Sequence, residues 1–213
     1  MKKVRVIFEN DGLTRFISHL DLSRAMQFSL RRSDLPVWYT EGFHQHLYLT
    51  FSNPLSLGFI NRYGIMEFKL TDDDFDVTSV AGILNSCLPD GIRAIESYES
   101  DRKFSEIAFS DYEVTFDTDA PEKIEAAFKG ELIITKRGKA GEREVDVAPY
   151  VKGLHVGSDG ERVKVTFRLP SDEAFSVNPG ALMDAVKRVS CTEMRNLLIA
   201  RTKLTDKNGK IFR

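Results

Sequence analysis

The 213 residues predict an α+β protein made of two tandem ferredoxin-like domains, each a βαββαβ chain with an antiparallel sheet. Three observations lead there. Apolar residues alternate where strands are expected and recur at three- and four-residue spacing where helices are expected, and these patterns follow one another in the same order once in each half. The third observation is capacity: 213 residues, 42% hydrophobic and 29% charged, suffice for one large or two small cores, and two domains are the preferred reading. The expected domains are 1–100 and 110–213, joined by a link at 101–109.

In the first half, Val4, Val6 and Phe8 alternate on a strand. A helix follows from His19 to about Arg32, because Ser18 and Asp21 form a capping box and Leu22, Ala25, Met26 and Leu30 share one face. Arg24, Phe28, Arg31 and Arg32 lie away from that face and leave a basic outer stripe. Leu47, Leu49 and Phe51 alternate, as do Met66, Phe68 and Leu70, giving two further strands. Val77, Val80, Ala81, Leu84 and Leu88 mark a second helix with an acidic start at Asp72–Asp76, and a strand begins at Ile92. In the second half, Tyr112, Val114 and Phe116 alternate, and Pro121 opens a helix bearing Ile124, Ala127 and Phe128. Strands are expected at Leu132–Thr135 and Val145–Val147. Gly153-Leu154-His155-Val156-Gly157 reads as a loop, with His155 as exposed polar surface. Val163, Val165, Phe167 and Leu169 alternate with Arg162, Lys164, Thr166 and Arg168, an amphipathic strand with a basic outer face. Asn178 caps a helix opened by Pro179, with Leu182, Met183, Val186 and Val189 inward, and Met194–Leu204 reads as either helix or closing strand.

Two cysteines, Cys87 and Cys191, provide no disulfide framework. The start MKKVRVIFEN reads as a charged strand, and no apolar run reaches membrane-spanning length, so a cytoplasmic protein is expected. The formal charge of −2 is unevenly distributed. Residues 1–70 carry nine Lys/Arg against six Asp/Glu, residues 71–100 one against seven, and residues 185–213 eight against two.

The densest chemistry lies between Arg15 and Gly58, which holds three of the four histidines. Arg15, Phe16, Ser18, His19, Leu20, Asp21 and Leu22 begin the helix. Pro36, Val37, Tyr39, Glu41, Gly42, Phe43 and His46 follow, and then Phe51, Ser52, Pro54, Leu55, Leu57 and Gly58. This segment resembles the radical-SAM-linked protein family, a bacterial group of unknown function with an R-F-x-S-H-L-D-L helix start, a P-V-x-Y-x-x-G-F-x-x-H run and a serine-proline-leucine-rich loop. His46 stands at the recurrent position, while His44-Gln45 replaces the family's usual asparagine-proline. Lys136–Pro149 (KRGKAGEREVDVAP) is similar to the family's basic turn and E-x-D-x-x-P strand. The resemblance implies association with a radical SAM protein, to which family members are fused or beside which they are encoded. Ribonuclease and ribosomal-protein genes often lie nearby. This chain has no C-x-x-x-C-x-x-C, and two cysteines cannot supply three thiolates to an iron–sulfur cluster. The cluster and SAM are therefore expected only on the partner.

The expected role is that of a non-catalytic accessory that binds a phosphate-bearing substrate such as RNA and presents it to the radical SAM partner. Arg15, Ser18, His19, Asp21, Arg24, Arg31, Glu41, Phe43 and His46 are the candidate binding residues. Arg15 stands where the helix N-terminus adds partial positive charge, and its alternative role is pairing with Asp11 or Asp21. Trp38 and Tyr39 are candidates for stacking on a base, against the plainer reading that they pack the core. His44 and His46, placed on one side by extended backbone, are weak zinc candidates with His19 or Glu41. The plainer alternative has His46 hydrogen-bonded to Ser18 or Asp21. Two other functions stay open. Tandem ferredoxin-like domains also describe CRISPR repeat-processing endoribonucleases, for which His19, His46 and Arg15 would supply acid, base and cation. The remaining reading is a protein-docking module using the acidic Asp72–Asp76 patch or the basic tail.

Overall fold

The computed structural model describes residues 1–138, 141–172 and 174–213. The chain is a mixed α+β protein with mostly antiparallel sheet, and it divides into two compact units. The first comprises Met1–Phe104 with Arg213, the second Ser105–Phe212.

The first unit runs β1 (Lys2–Asn10), α1 (His19–Arg32), β2 (Leu49–Phe51), β3 (Ile60–Leu70), α2 (Val80–Asn85) and β4 (Ile92–Tyr98). Its strands lie in the order β4-β1-β3-β2, and every neighbouring pair is antiparallel. Alternation sorts side chains onto two faces. Val4, Val6, Phe8, Met66, Phe68 and Leu70 are buried in one core with Met26 and Leu30 of α1 and Val80, Ala81 and Leu84 of α2. Arg5 and Glu67, register partners on the opposite face, are also buried and form an ion pair of 3.0 Å. Arg5 donates further to Ser100 Oγ and the Arg102 carbonyl and lies over the Phe104 ring, so the charge is bonded on every side. Gly64 has no room for a side chain: a Cβ there would stand 2.3 Å from Asn61 Nδ2 and 2.6 Å from Phe8 Cζ.

The second helix is shorter than its apolar spacing predicts. Val77–Ser79 is a 3₁₀ turn capped by Asp76, whose carboxylate accepts from Thr78 N–H and Oγ1, and the α-helix proper begins at Val80. Those two hydrogen bonds hold the Asp76 carboxyl below its ordinary pKa.

The second unit runs β5 (Ile107–Asp117), α3 (Pro121–Ala127), β6 (Ile133–Gly138), β7 (Gly141–Asp146), β8 (Lys152–Asp159), β9 (Arg162–Pro170), α4 (Pro179–Ser190) and β10 (Arg195–Asp206). Its main strands are ordered β10-β5-β9-β8, again antiparallel, while among the described residues β6 and β7 pair only with each other. Phe116, Val163, Val165, Leu169, Ile124, Leu182 and Val186 are buried. Asn178 caps α4 by accepting from Gly180 and Ala181 N–H, and Pro179 opens it. Of the Met194–Leu204 segment, all but Met194 lies in strand, the long β10. Gly153–Gly157, expected as loop, lies within β8, where His155 is register partner to Thr166.

The basic outer face of β9 is not free. Arg162 pairs with Asp117, Lys164 with Glu113 and Arg168 with Asp111, all across to β5. The basic tail is engaged in part: Lys187 pairs with Glu193, Arg195 with Asp119 and Glu161, and Arg201 is buried, while Lys203, Lys207 and Lys210 are exposed. Burial pushes the Arg201 guanidinium down to about 10. No helix among the described residues is long and apolar enough to cross a membrane.

Candidate functional site

The start of α1 forms as the capping pattern requires. Ser18 Oγ accepts from the Asp21 N–H at 3.1 Å and donates back to the Asp21 carboxylate at 2.6 Å. Asp21 also meets Arg24 at 3.4 Å, an exposed pair of small energetic weight that steers the arginine along the helix. Just before the cap, Gly12–Phe16 is a 3₁₀ turn, and the Gly58 N–H donates to the Arg15 carbonyl. A Cβ on Gly58 would lie 3.5 Å from the Phe16 ring, at a φ of +84°. The two motif segments, 15–22 and 51–58, are thereby joined.

Arg15 pairs with neither Asp11 nor Asp21. Its guanidinium lies over the Phe16 ring at 4.7 Å, and its Nε is shielded from solvent with no hydrogen-bond partner among the described residues. His19 is exposed, and its ring meets Phe51 edge-on at 5.2 Å.

Along α1 the buried side chains Met26, Ser29 and Leu30 occupy one face. Leu20, Arg24, Phe28 and Arg31, spaced four, four and three residues apart, lie on the other, and all four are exposed. Phe28 is 59% exposed, so a large aromatic stands in water between two arginines. Arg32 is turned aside and donates to the Cys87 carbonyl.

The histidine segment departs from extended geometry. Tyr39 bridges Leu47, and the Thr40 N–H donates to the His46 carbonyl, so residues 41–45 form the tip of a hairpin, with Gly42 at a φ of +116°. Glycine takes that backbone without the strain any other residue would meet. His46 Nδ1 lies 2.9 Å from Thr40 Oγ1 and 3.3 Å from the His44 carbonyl. Ser18 and Asp21 bond to each other instead, which corrects the expected His46 contact. Glu41, Phe43 and His44 are exposed at the tip, and among the described residues no hydrogen bond or ion pair ties this loop to α1. No group of three or more His, Cys, Asp or Glu side chains among the described residues is placed to hold a metal ion.

The arrangement thus divides the candidates in two. Arg15, Ser18 and His19 lie before or at the start of α1 and Asp21, Arg24 and Arg31 along it, while Glu41, Phe43 and His46 belong to a separate hairpin. The family profile of an uncharacterized protein conserved in bacteria (DUF2344) matches residues 3–179. The chain belongs to that family. The match spans the whole of the α1 surface, the hairpin tip and the chain as far as the start of α4. No curated protein matches significantly. Among solved structures, an unknown protein from Galdieria sulphuraria is similar at 10% identity over 92% of this chain and 96% of its own, with a TM-score of 0.27, too low to bear on the fold.

Sequence patterning singled out Trp38 but not its surroundings. The Lys69 ammonium lies 4.9 Å from the Trp38 ring and 4.8 Å from the Tyr48 ring. Only the pairing of β3 with the 37–39 and 48–51 segments assembles that group, which no local pattern encodes.

Proposed function

We propose that this chain is the non-catalytic accessory of a radical SAM enzyme, holding a phosphate-bearing substrate such as RNA on the exposed face of α1 and presenting it to that partner. The observation that carries the reading is the row Leu20, Arg24, Phe28 and Arg31, where cations alternate with exposed apolar groups on a rigid helix. Such a row serves a polyanion in two ways, because arginine forks match phosphate oxygens while an exposed aromatic offers a face to an unpaired base. Arg15 and the α1 N-terminus extend positive potential toward the motif loop. The strand orders β4-β1-β3-β2 and β10-β5-β9-β8 support reading both units as ferredoxin-like, the second with the β6–β7 hairpin inserted. The radical SAM link rests on the motif resemblance, and the iron–sulfur cluster and SAM would belong to the partner.

The endoribonuclease alternative gains nothing from the geometry. His19 is engaged with Phe51 and His46 with Thr40, and no contact among the described residues brings the two rings to one point. A docking role has a specific observation in its favour: Leu13, Phe16 and Leu57 around the cap are 87%, 57% and 62% exposed. These residues would seat the radical SAM protein while α1 holds the substrate.

Reversing both charges, Arg24→Glu with Arg31→Glu, is expected to abolish RNA affinity without altering the circular dichroism spectrum or unfolding midpoint. Unchanged affinity would refute this surface. Mixing the purified chain with its genomically neighbouring radical SAM protein should give a complex at micromolar concentration; if none forms, the accessory role is lost.

A further inference from the structure

The face of the first sheet opposite α1 and α2 carries, beyond the Arg5–Glu67 pair, two cations that their own neighbours do not neutralise. Lys3 on β1 is the register partner of Lys69 on β3, on the face opposite the core residues Val4 and Phe68. Two like charges directly opposite one another destabilise a sheet unless something compensates them. Carboxylates nearby are already committed. Glu67 pairs with Arg5 and accepts from the Tyr48 hydroxyl, Glu99 pairs with Lys2, and Asp73 pairs with the N-terminal ammonium. Asp101 shares a shallow concavity with Lys3 but forms no ion pair with it.

Two aromatic rings continue the row. The Trp38 N–H donates to the Lys69 carbonyl and the Tyr48 N–H to the Trp38 carbonyl, so Lys69, Tyr48 and Trp38 sit side by side across the strands. The Trp38 and Tyr48 rings lie 6.1 Å apart at 57°, both against the Lys69 ammonium, and both are partly exposed. Lys69 contacts rings alone, leaving its three donors without an oxygen acceptor among the described residues.

We infer that Lys3, Lys69, Tyr48 and Trp38 form a nucleotide platform on this sheet face, with the two ammonium groups holding a backbone phosphate of single-stranded RNA and the indole stacking on the adjoining base. A cation–π contact leaves an ammonium able to donate outward, and an unpaired strand offers the alternation of charge and ring that this row complements. The inference rests on the proposed RNA-binding role but places the contact on a different surface from α1.

Trp38 is the sole tryptophan, so its emission reports on the platform directly. The chain would be titrated with an oligouridylate of about ten nucleotides, a length in the range of single-strand sites. Tryptophan emission and the anisotropy of the labelled RNA would be followed together. Quenching should track binding, and Lys3→Glu and Lys69→Gln should each weaken affinity about fivefold or more. Lys69→Gln should also lower the slope of log affinity against log salt by about 1. Lys3 is exposed and Lys3→Glu replaces a like-charge pair with an opposite one, so this variant should be at least as stable as the wild type and a loss of affinity in it cannot be a loss of fold. If RNA binds and depends on Arg24 and Arg31 while Trp38 emission and both lysine variants are unaffected, the platform is overturned and the α1 surface stands. Quenching and lysine dependence with an inert arginine reversal would uphold the platform and overturn the α1 surface. No binding at low salt overturns both.

Discussion

At the scale of single residues, Gly64 and the Arg5–Glu67 pair show how little latitude the first sheet allows. Gly64 opposes Phe8 in register, and the Phe8 and Asn61 side chains fill the space a β-carbon would need. Gly64→Ala is therefore expected to destabilise the first unit by about 1–3 kcal/mol, the usual cost of overpacking, measured as a fall in urea midpoint. A stability equal to wild type would mean that Phe8 can move aside. The Arg5–Glu67 pair could not have been foreseen from alternation, since charged residues at odd positions of β1 read as solvent-facing. The 99–104 segment, whose Ser100 and Arg102 bond Arg5, supplies the cover. By contrast the Ser18–Asp21 capping box was wholly legible, because every atom in it lies within four residues.

At the scale of elements, α1 has the boundaries that cap and periodicity specify and α4 the start, although Val189, expected inward, is exposed near the end of α4; β8 was not foreseen at all. Gly153, Gly157 and Gly160 surround few apolar residues there, and β8 pairs on one side only, with β9. Tertiary pairing thus makes a strand where composition suggests a loop. The same limit hid the neutralisation of β9: Arg162, Lys164 and Arg168 read as a basic face until β5 places Asp117, Glu113 and Asp111 beside them. For α4, Asn178 accepts two N–H bonds at the helix start. Asn178→Ala should cost about 1 kcal/mol in the unfolding midpoint of the second unit, whereas Asn178→Asp should cost little. An Ala variant with unchanged stability would assign the start of α4 to Pro179 alone.

At the scale of the whole molecule, acid stability follows from carboxyl groups held below their ordinary range. Asp117 is lowered chiefly by hydrogen bonds from Arg162 and Asn196, and Asp119 by the Arg195 guanidinium. A carboxyl with a depressed pKa in the folded state is protonated first in the unfolded chain, so its stabilising contribution is present at neutral pH and is lost as the pH falls through the acid range. The melting temperatures of wild type and the Asp117→Asn, Asp119→Asn double variant should converge as the pH falls below about 4, the ordinary carboxylate value, and through the depressed folded-state range. A gap that stays constant would show that these bonds do not stabilise the fold.

The hairpin tip at Glu41–Gln45 has a consequence for how the chain can be handled. Phe43 is fully exposed, and the residues on either side of it are exposed as well. A loop tip of this kind is where a protease first gains purchase on an otherwise folded chain. Chymotrypsin at low dose should cut after Phe43 before any other site, leaving two fragments that remain associated through the Trp38–Tyr48 and Tyr39–Leu47 pairings. Each copy of the protein thus carries its own footprinting probe: a partner that covers the tip will slow that cut, and one that docks elsewhere will leave its rate unchanged.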